Sequence, residues 1–164
     1  MSGTGADAWP DLAGRLERVG GDGTDDGVGD PVHVLPVRVY FEDTDFSGVV
    51  YHASYVRWCE RGRSDFLRLL GNDHRALIAG DAGHAAAAFV VRRMSLEFLA
   101  PARIDDVLEV RTSAREIGAA SITLDQRIAR DGKTLFEARV LVVLVSQTGK
   151  PMRISSALRR AFSS

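Results

Sequence analysis

The chain has one cysteine, Cys59, in 164 residues. That excludes an internal disulfide and any metal site built from several thiolates. Strong net charge is missing too: the formal value is −1 at pH 7, so nothing overall points to nucleic acid or to an acidic membrane surface. No apolar run approaches the ~18 residues of a membrane span. The N-terminal residues are acidic and Gly-rich, with no hydrophobic segment of the kind a secretion signal needs. A soluble, cytoplasmic protein is the expectation, with no stable membrane insertion and no nucleic-acid partner.

What is present fits one ordinary globular domain: 45% hydrophobic and 26% charged residues in a length that can bury a real core. The charge is uneven. Residues 1–33 carry seven acids against Arg15 and Arg18, a net of −5, which leaves +4 on the rest. Trp9, Leu12, Leu16 and Val19 are spaced as one helical face. The stretch GGDGTDDGVGD that follows is too polar and Gly-rich to pack. Residues 1–33 therefore read as a flexible acidic extension with a possible short helix, and residues 34–164 as a single domain.

The organising stretch runs from Val37 to Gly71. Val37 to Phe41 is β-branched and aromatic, and predicts a strand. Glu42 to Val50 breaks it with two close carboxylates, Asp43 and Asp45, and a Ser47-Gly48 turn in which Gly48 permits a backbone that a Cβ would block. From His52, apolar or small residues at Tyr55, Trp58, Cys59, Gly62, Phe66, Leu69 and Leu70 step by three and four, marking the buried face of a long helix that Gly71 stops. The mid-helix Gly62 predicts a close approach of helix to sheet. Asp73 to Ala79 adds a turn or two of helix.

After Gly83 the period changes to two. Val90, Met94, Leu96 and Phe98 share a face of one strand, and Leu108 to Ala114 alternate in the next. Ile122, Leu124 and Ile128 mark a third, and Leu135 to Val145 a fourth that is apolar on both faces from Val140. Asp131-Gly132 is a strong hairpin signal. Strands joined by tight turns make an antiparallel sheet, and one long helix must bury its stripe on it. A strand, a long helix and a four-strand meander curling around it predict an α+β hotdog architecture, a central helix wrapped by a five-stranded antiparallel sheet. Ser156 to Phe162 predicts a last short helix.

The string Tyr40-Phe41-Glu42-Asp43-Thr44-Asp45-Phe46-Ser47-Gly48-Val49-Val50-Tyr51-His52-Ala53-Ser54-Tyr55 resembles the signature of hotdog-fold acyl-CoA thioesterases of the 4-hydroxybenzoyl-CoA thioesterase type. It is most similar to the branch associated with the Tol–Pal cell-envelope system. Phe89 to Met94 and Phe98 to Arg103 resemble the second-strand region of that branch. The resemblance implies hydrolysis of an acyl-CoA, or of an acyl carrier protein thioester, with no cofactor. It implies Asp45 as the catalytic acid and His52, at the helix start, as donor of a backbone N–H to the thioester carbonyl with help from its imidazole. Gly48, Val49, Tyr51 and Arg92 are the expected substrate-binding positions; Arg92, Arg93 and Arg103 are candidates for the CoA phosphates, with a solvated strand face as the alternative for all three. A homodimer or homotetramer is implied, with sites between subunits.

The residue chemistry agrees with these roles. A carboxylate can attack a thioester or take a proton from water, and a helix N-terminus supplies fixed donors to the developing oxyanion. Asp45 could instead only cap the helix or close a turn, and His52 could be a plain surface or capping residue. Asp43 suits a structural role, accepting backbone N–H bonds in the loop. Tyr51 and Tyr55 read as packing residues, Tyr51 with a chance of lining an acyl pocket. Cys59 lies two helical turns, ~10.5 Å of rise, from His52, too far for a Cys–His pair, and reads as core. His33, His74 and His84 have no ligand-like spacing, so no metal is expected.

Two rival functions fit parts of the sequence. Val37 to Asp45 imitates the strand-then-DxD opening of a Mg²⁺-dependent haloacid-dehalogenase-like phosphatase, with Asp105-Asp106 as a later acidic pair, but that chemistry needs a parallel α/β sheet. The other rival is a non-catalytic hotdog domain that binds acyl-CoA or a protein partner.

Overall fold

The computed structural model describes residues 12–19, 29–72, 74–80 and 85–163. Six strands form a single sheet in the order β1-β2-β4-β5-β6-β3. They are β1 (Arg15–Val19), β2 (Asp30–Arg38), β3 (Ala87–Phe98), β4 (Val107–Ile117), β5 (Ser121–Arg130) and β6 (Lys133–Ser146). Every neighbouring pair is antiparallel. Among the described residues three α-helices accompany them: α1 (His52–Leu69), α2 (His74–Ala79) and α3 (Ser156–Ser163). The antiparallel pairing removes the phosphatase reading, which needs strands that alternate with helices in a parallel sheet.

The sheet has six strands, not the expected five. Leu16 and Val19 lie in strand β1, not on a helical face, and Leu12 precedes that strand; Trp9 lies outside the described residues. Pairing decides the outcome. β2 begins at Asp30, well before Val37, and its first half would otherwise present an open row of backbone donors and acceptors. β1 covers that row from Val34 to Asp30. The alternation of Arg15 and Glu17 puts both on one face, where Arg15 meets Glu109 at 3.2 Å and Glu17 meets Arg111 at 2.6 Å. The polar stretch 20–28 lies outside the described residues.

Helix α1 packs on the opposite face of the sheet. Tyr55, Trp58, Cys59, Gly62 and Phe66 are buried as their spacing predicts, joined by Ser54, Asp65 and Leu67, whereas Leu69 is 40% exposed. Gly62 is the closest approach: a Cβ there would stand 3.1 Å from both Thr112 Oγ1 and Val110 Cγ1 of β4. Gln126 of β5 pins the helix at the same level. Its Nε2 donates to the Cys59 carbonyl at 2.9 Å and to Thr112 Oγ1 at 2.8 Å, and its Oε1 accepts from Arg63 at 2.8 Å. The helix ends in a Schellman motif: Gly71, at φ +85°, donates to the Arg68 carbonyl and Asn72 to that of Leu67.

Between β5 and β6, Asp131 and Gly132 both have positive φ (49° and 77°), the two-residue hairpin their sequence predicts. In β3 the register shifts between Val91 and Arg93. This bulge reverses the side-chain alternation, so Val90 does not share the face of Met94 and Leu96. It stands 44% exposed, while Phe89, Met94 and Leu96 pack on the core. A strict period of two cannot register a bulge.

A second buried polar contact joins β2 to α1. His33 Nε2 and Asp65 Oδ2 are 2.7 Å apart, and Asp65 also accepts from Arg68. Gly14 passes so close that a side-chain carbon there would overlap the Asp65 carboxylate. The segment before β1 therefore closes over this pair.

Candidate active site

The acidic loop sits between β2 and α1 and is built mostly from main-chain bonds. Tyr40, just past β2, donates its N–H to Asp43 Oδ2 at 2.9 Å, and the buried Asp43 holds the loop as its sequence position suggests. A single turn of 3₁₀ helix spans Phe41–Asp43, so these residues leave the strand that Tyr40 and Phe41 were expected to continue. Thr44 bridges to Val50, and the Val50 N–H donates to the Ala102 carbonyl at 2.9 Å. The loop is thus tied to the connection that follows β3.

Within it, Asp45 forms a tight turn. Its N–H donates to the Val49 carbonyl at 3.2 Å, and its carbonyl accepts from Gly48 at 3.0 Å. Gly48 has φ +79°, yet nothing lies within 4 Å of where its Cβ would be. Glycine is needed there for its left-handed backbone, not for room. Asp45 Oδ1 accepts the Ser47 N–H at 2.8 Å and also the Ser47 hydroxyl. The hydroxyl first, then the amide, and to a lesser degree nearby His52 hold the Asp45 carboxyl below its ordinary range. The acid is exposed, makes no ion pair among the described residues, and is charged at neutral pH.

His52 is the first residue of α1, and Tyr51 caps it in extended conformation. A helix start leaves its first amides without intrahelical acceptors and carries a partial positive charge. The Tyr51 ring lies 4.4 Å from that of His52, and Phe98, at the end of β3, meets His52 edge-on at 6.4 Å between centroids. Tyr55, one turn along, is buried. It stacks on Phe136 at 5.2 Å, and its hydroxyl accepts the Ala102 N–H at 3.0 Å. It is a packing residue that also fastens the loop after β3.

Asp45, Ser47, Gly48 and Val49 thus share one tight turn, and Tyr51 and His52 follow at the start of α1. Arg92 stands apart. It is the bulge residue of β3, exposed, and six residues from Phe98, roughly 20 Å along a strand. Arg93 and Arg103 are exposed as well. Asp106 accepts the Arg103 amide at 2.9 Å and pairs with Arg130. Cys59 is fully buried and its thiol is pushed up to about 12 by burial, the state of an inert core residue. Sequence reading gave Ser47 only a turn and Phe98 only a strand face; the structure sets the Ser47 hydroxyl on Asp45 and the Phe98 ring against His52. The D-x-S-G spacing, which lets an Asp side chain close a turn on the residue two ahead, is the signal that could have found Ser47.

The model of the thioesterase-like superfamily matches residues 39–162. The chain belongs to that superfamily. Among relatives, this thioesterase-family chain is 50% identical to the acyl-CoA thioester hydrolase YbgC of Escherichia coli over 111 residues, which are 67% of this chain and 79% of that one. It is 38% identical to the acyl-CoA thioesterase YbgC of Haemophilus influenzae over 129 residues, 78% and 92% of the two chains. Among solved structures, a probable thioesterase from Bartonella henselae superposes with TM-score 0.72 at 40% identity, covering 76% of this chain and 99% of that one. The hotdog fold and the family named from the Tyr40–Tyr55 string are the ones found.

Proposed function

We propose that the chain is an acyl-CoA thioesterase that hydrolyses the acyl thioester to a free carboxylic acid and CoA. The observation that carries this reading is Asp45: an accessible, charged carboxylate, fixed by Ser47 in the loop that leads into α1, in a member of the thioesterase-like superfamily. The thioester carbonyl docks at the amide opening α1, where His52 supplies a donor from main chain and ring. Asp45 attacks the carbonyl carbon, or removes a proton from a water that does. The C–S bond then breaks, the thiol leaves with a proton, and water supplies the oxygen of the acid. Gly48, Val49 and Tyr51 flank the carbonyl.

The assembly is proposed as a homodimer or homotetramer. β3 is an edge strand of 12 residues, a length that invites pairing. Val91, Phe98 and Leu99 stand 47, 51 and 56% exposed along or just beyond it. Joining two β3 edges would cover them and bring Arg92 of one chain toward the site of the other. No helix among the described residues is long and apolar enough to cross a membrane. Cytoplasmic location, use of an acyl carrier protein thioester and association with the Tol–Pal system are further parts of the proposal.

The test is a spectrophotometric screen of thiol release from acyl-CoAs of short to long chain, together with benzoyl derivatives, without added metal. Turnover on at least one class is expected. No release above background across the panel would overturn the assignment and favour a binding domain.

A further inference from the structure

The sheet has a second face, turned away from α1. Both α2 and α3 touch α1, His74 reaching Ser64 at 3.0 Å and the Phe162 ring meeting Phe66 at 5.3 Å between centroids. The three helices thus lie on one side, and no helix among the described residues covers the other. A groove of about 770 Å³ crosses that outer face, with Arg111, Arg127, Glu137 and Glu97 along it.

Charge on this face is sorted by sign. The register sets Arg111 of β4 directly opposite Arg127 of β5, and Glu137 of β6 directly opposite Glu97 of β3. Like charges in directly opposed positions are destabilising. Here one row across four strands carries two cations at one side and two anions at the other. Arg111 finds a partner in Glu17 at 2.6 Å. Arg127, Glu137 and Glu97 are exposed, and none of them makes an ion pair among the described residues. The next row is balanced within the chain, since Asp125 pairs with both Arg115 and Arg139. Further along, the face turns apolar at Leu141 and Val143 of β6, with Val90 opposite Val143 and 44% exposed. A strand apolar on both faces fits a sheet covered on both, and the helices cover only one.

We propose that the outer face docks on the same face of a second copy of the chain, about a two-fold axis running along the strands between β5 and β6. The inference deepens the assembly reading given above, and rests on it for the dimers that this face joins into a tetramer. Such an axis reverses the strand order β4-β5-β6-β3, so β5 meets β6 of the second copy and β4 meets its β3. Arg127 then faces Glu137 of the second copy, and Arg111 faces its Glu97, each contact occurring twice. The sign pattern that is unfavourable within one chain becomes complementary between two. The Arg127–Glu137 contacts lie nearest the axis, where the angle of about 30° between packed sheets displaces them least.

Sedimentation velocity of the full chain measures the assembly. In about 0.1 M salt the parent is expected at twice the mass it has in about 1 M salt, where these charges are screened. Arg127→Glu sets acid against acid at the central contacts, and Glu137→Arg sets base against base. Both positions are exposed, so each variant should fold with the circular dichroism spectrum of the parent. Each alone is expected to stay at the lower mass in about 0.1 M salt. Mixed in equal amounts, the two variants restore opposite signs at both central contacts, and the doubled mass returns. A single variant that keeps the doubled mass would overturn the proposal. So would a mixture that does not regain it, or a parent with the same mass at both salt concentrations. The mass in about 1 M salt tests the β3 contact separately: a dimer keeps that reading and a monomer removes it.

Discussion

The Tyr51 amide donates to the Asp43 carbonyl at 2.8 Å. That bond fixes the acidic loop on the residue that caps α1, and it sets where Asp45 stands relative to the helix N-terminus. The loop has little else to hold it. Phe41 and Phe46, on either side, are 81 and 104% exposed, so main-chain bonds and the buried Asp43 carboxylate, not packing, define its shape.

Asp43→Ala removes the acceptor for the Tyr40 N–H and frees one end of the turn. The variant is expected to lower kcat by roughly tenfold, equivalent to the ~1.4 kcal/mol lost when one positioning hydrogen bond goes, with a smaller change in KM. Steady-state kinetics on the best acyl-CoA checks this. A change in KM alone would place Asp43 in substrate binding instead.

The pH dependence follows from Ser47. Asp45 works as a carboxylate, and its pKa is depressed in the fold. The acid limb of the activity profile therefore lies below that of an ordinary carboxylate. Ser47→Ala deletes the hydroxyl donor but keeps the amide, so the acid limb of the kcat/KM profile should move to higher pH. A limb that stays in place would remove Ser47 from the mechanism.

His33 predicts a stability effect with a definite sign. Burial first, then the cations of Arg68 and Arg15, hold its pKa down to about 4. The ordinary value, about 6.5, governs the unfolded chain. The neutral form is favoured by folding, so its contribution is complete above the unfolded value and is lost as pH falls from there toward 4. Stability should therefore fall between pH 7 and pH 5, with the Asp65 carboxylate 2.7 Å from the ring opposing part of that loss. Urea unfolding at the two values, compared with His33→Gln, measures it. An equal fall in both proteins would assign the effect to other groups.

Gln126→Leu leaves the Arg63 guanidinium and Thr112 without their shared partner under α1. A cost of roughly 1–3 kcal/mol is expected, the penalty of stranding buried polar groups. The urea midpoint should drop with an unchanged slope. No change would mean that Gly62 packing alone sets the helix on the sheet.

Much of the fold could be read from the chain before its structure. The steps of three and four after His52 mark α1, and alternation with tight turns marks the antiparallel meander. What could not be read has physical reasons. β1 is short and amphipathic in a way that also fits a helix, and only its pairing with the open edge of β2 decides between them. The bulge at Arg92 reverses a face without any residue that announces it. At the site, the Asp45–His52 spacing along the chain was legible. The hydroxyl of Ser47 and the edge of Phe98 were not, because both reach the site by side-chain direction and by a strand distant in sequence.

Replacing Asp45 by Asn tests the central claim most directly. The carboxylate is exposed and makes no ion pair among the described residues, so the variant should fold with an unchanged circular dichroism spectrum and urea midpoint. Thiol release from acyl-CoA should then fall by at least roughly two orders of magnitude. A folded Asp45→Asn protein that hydrolyses acyl-CoA at the rate of the parent would contradict the account.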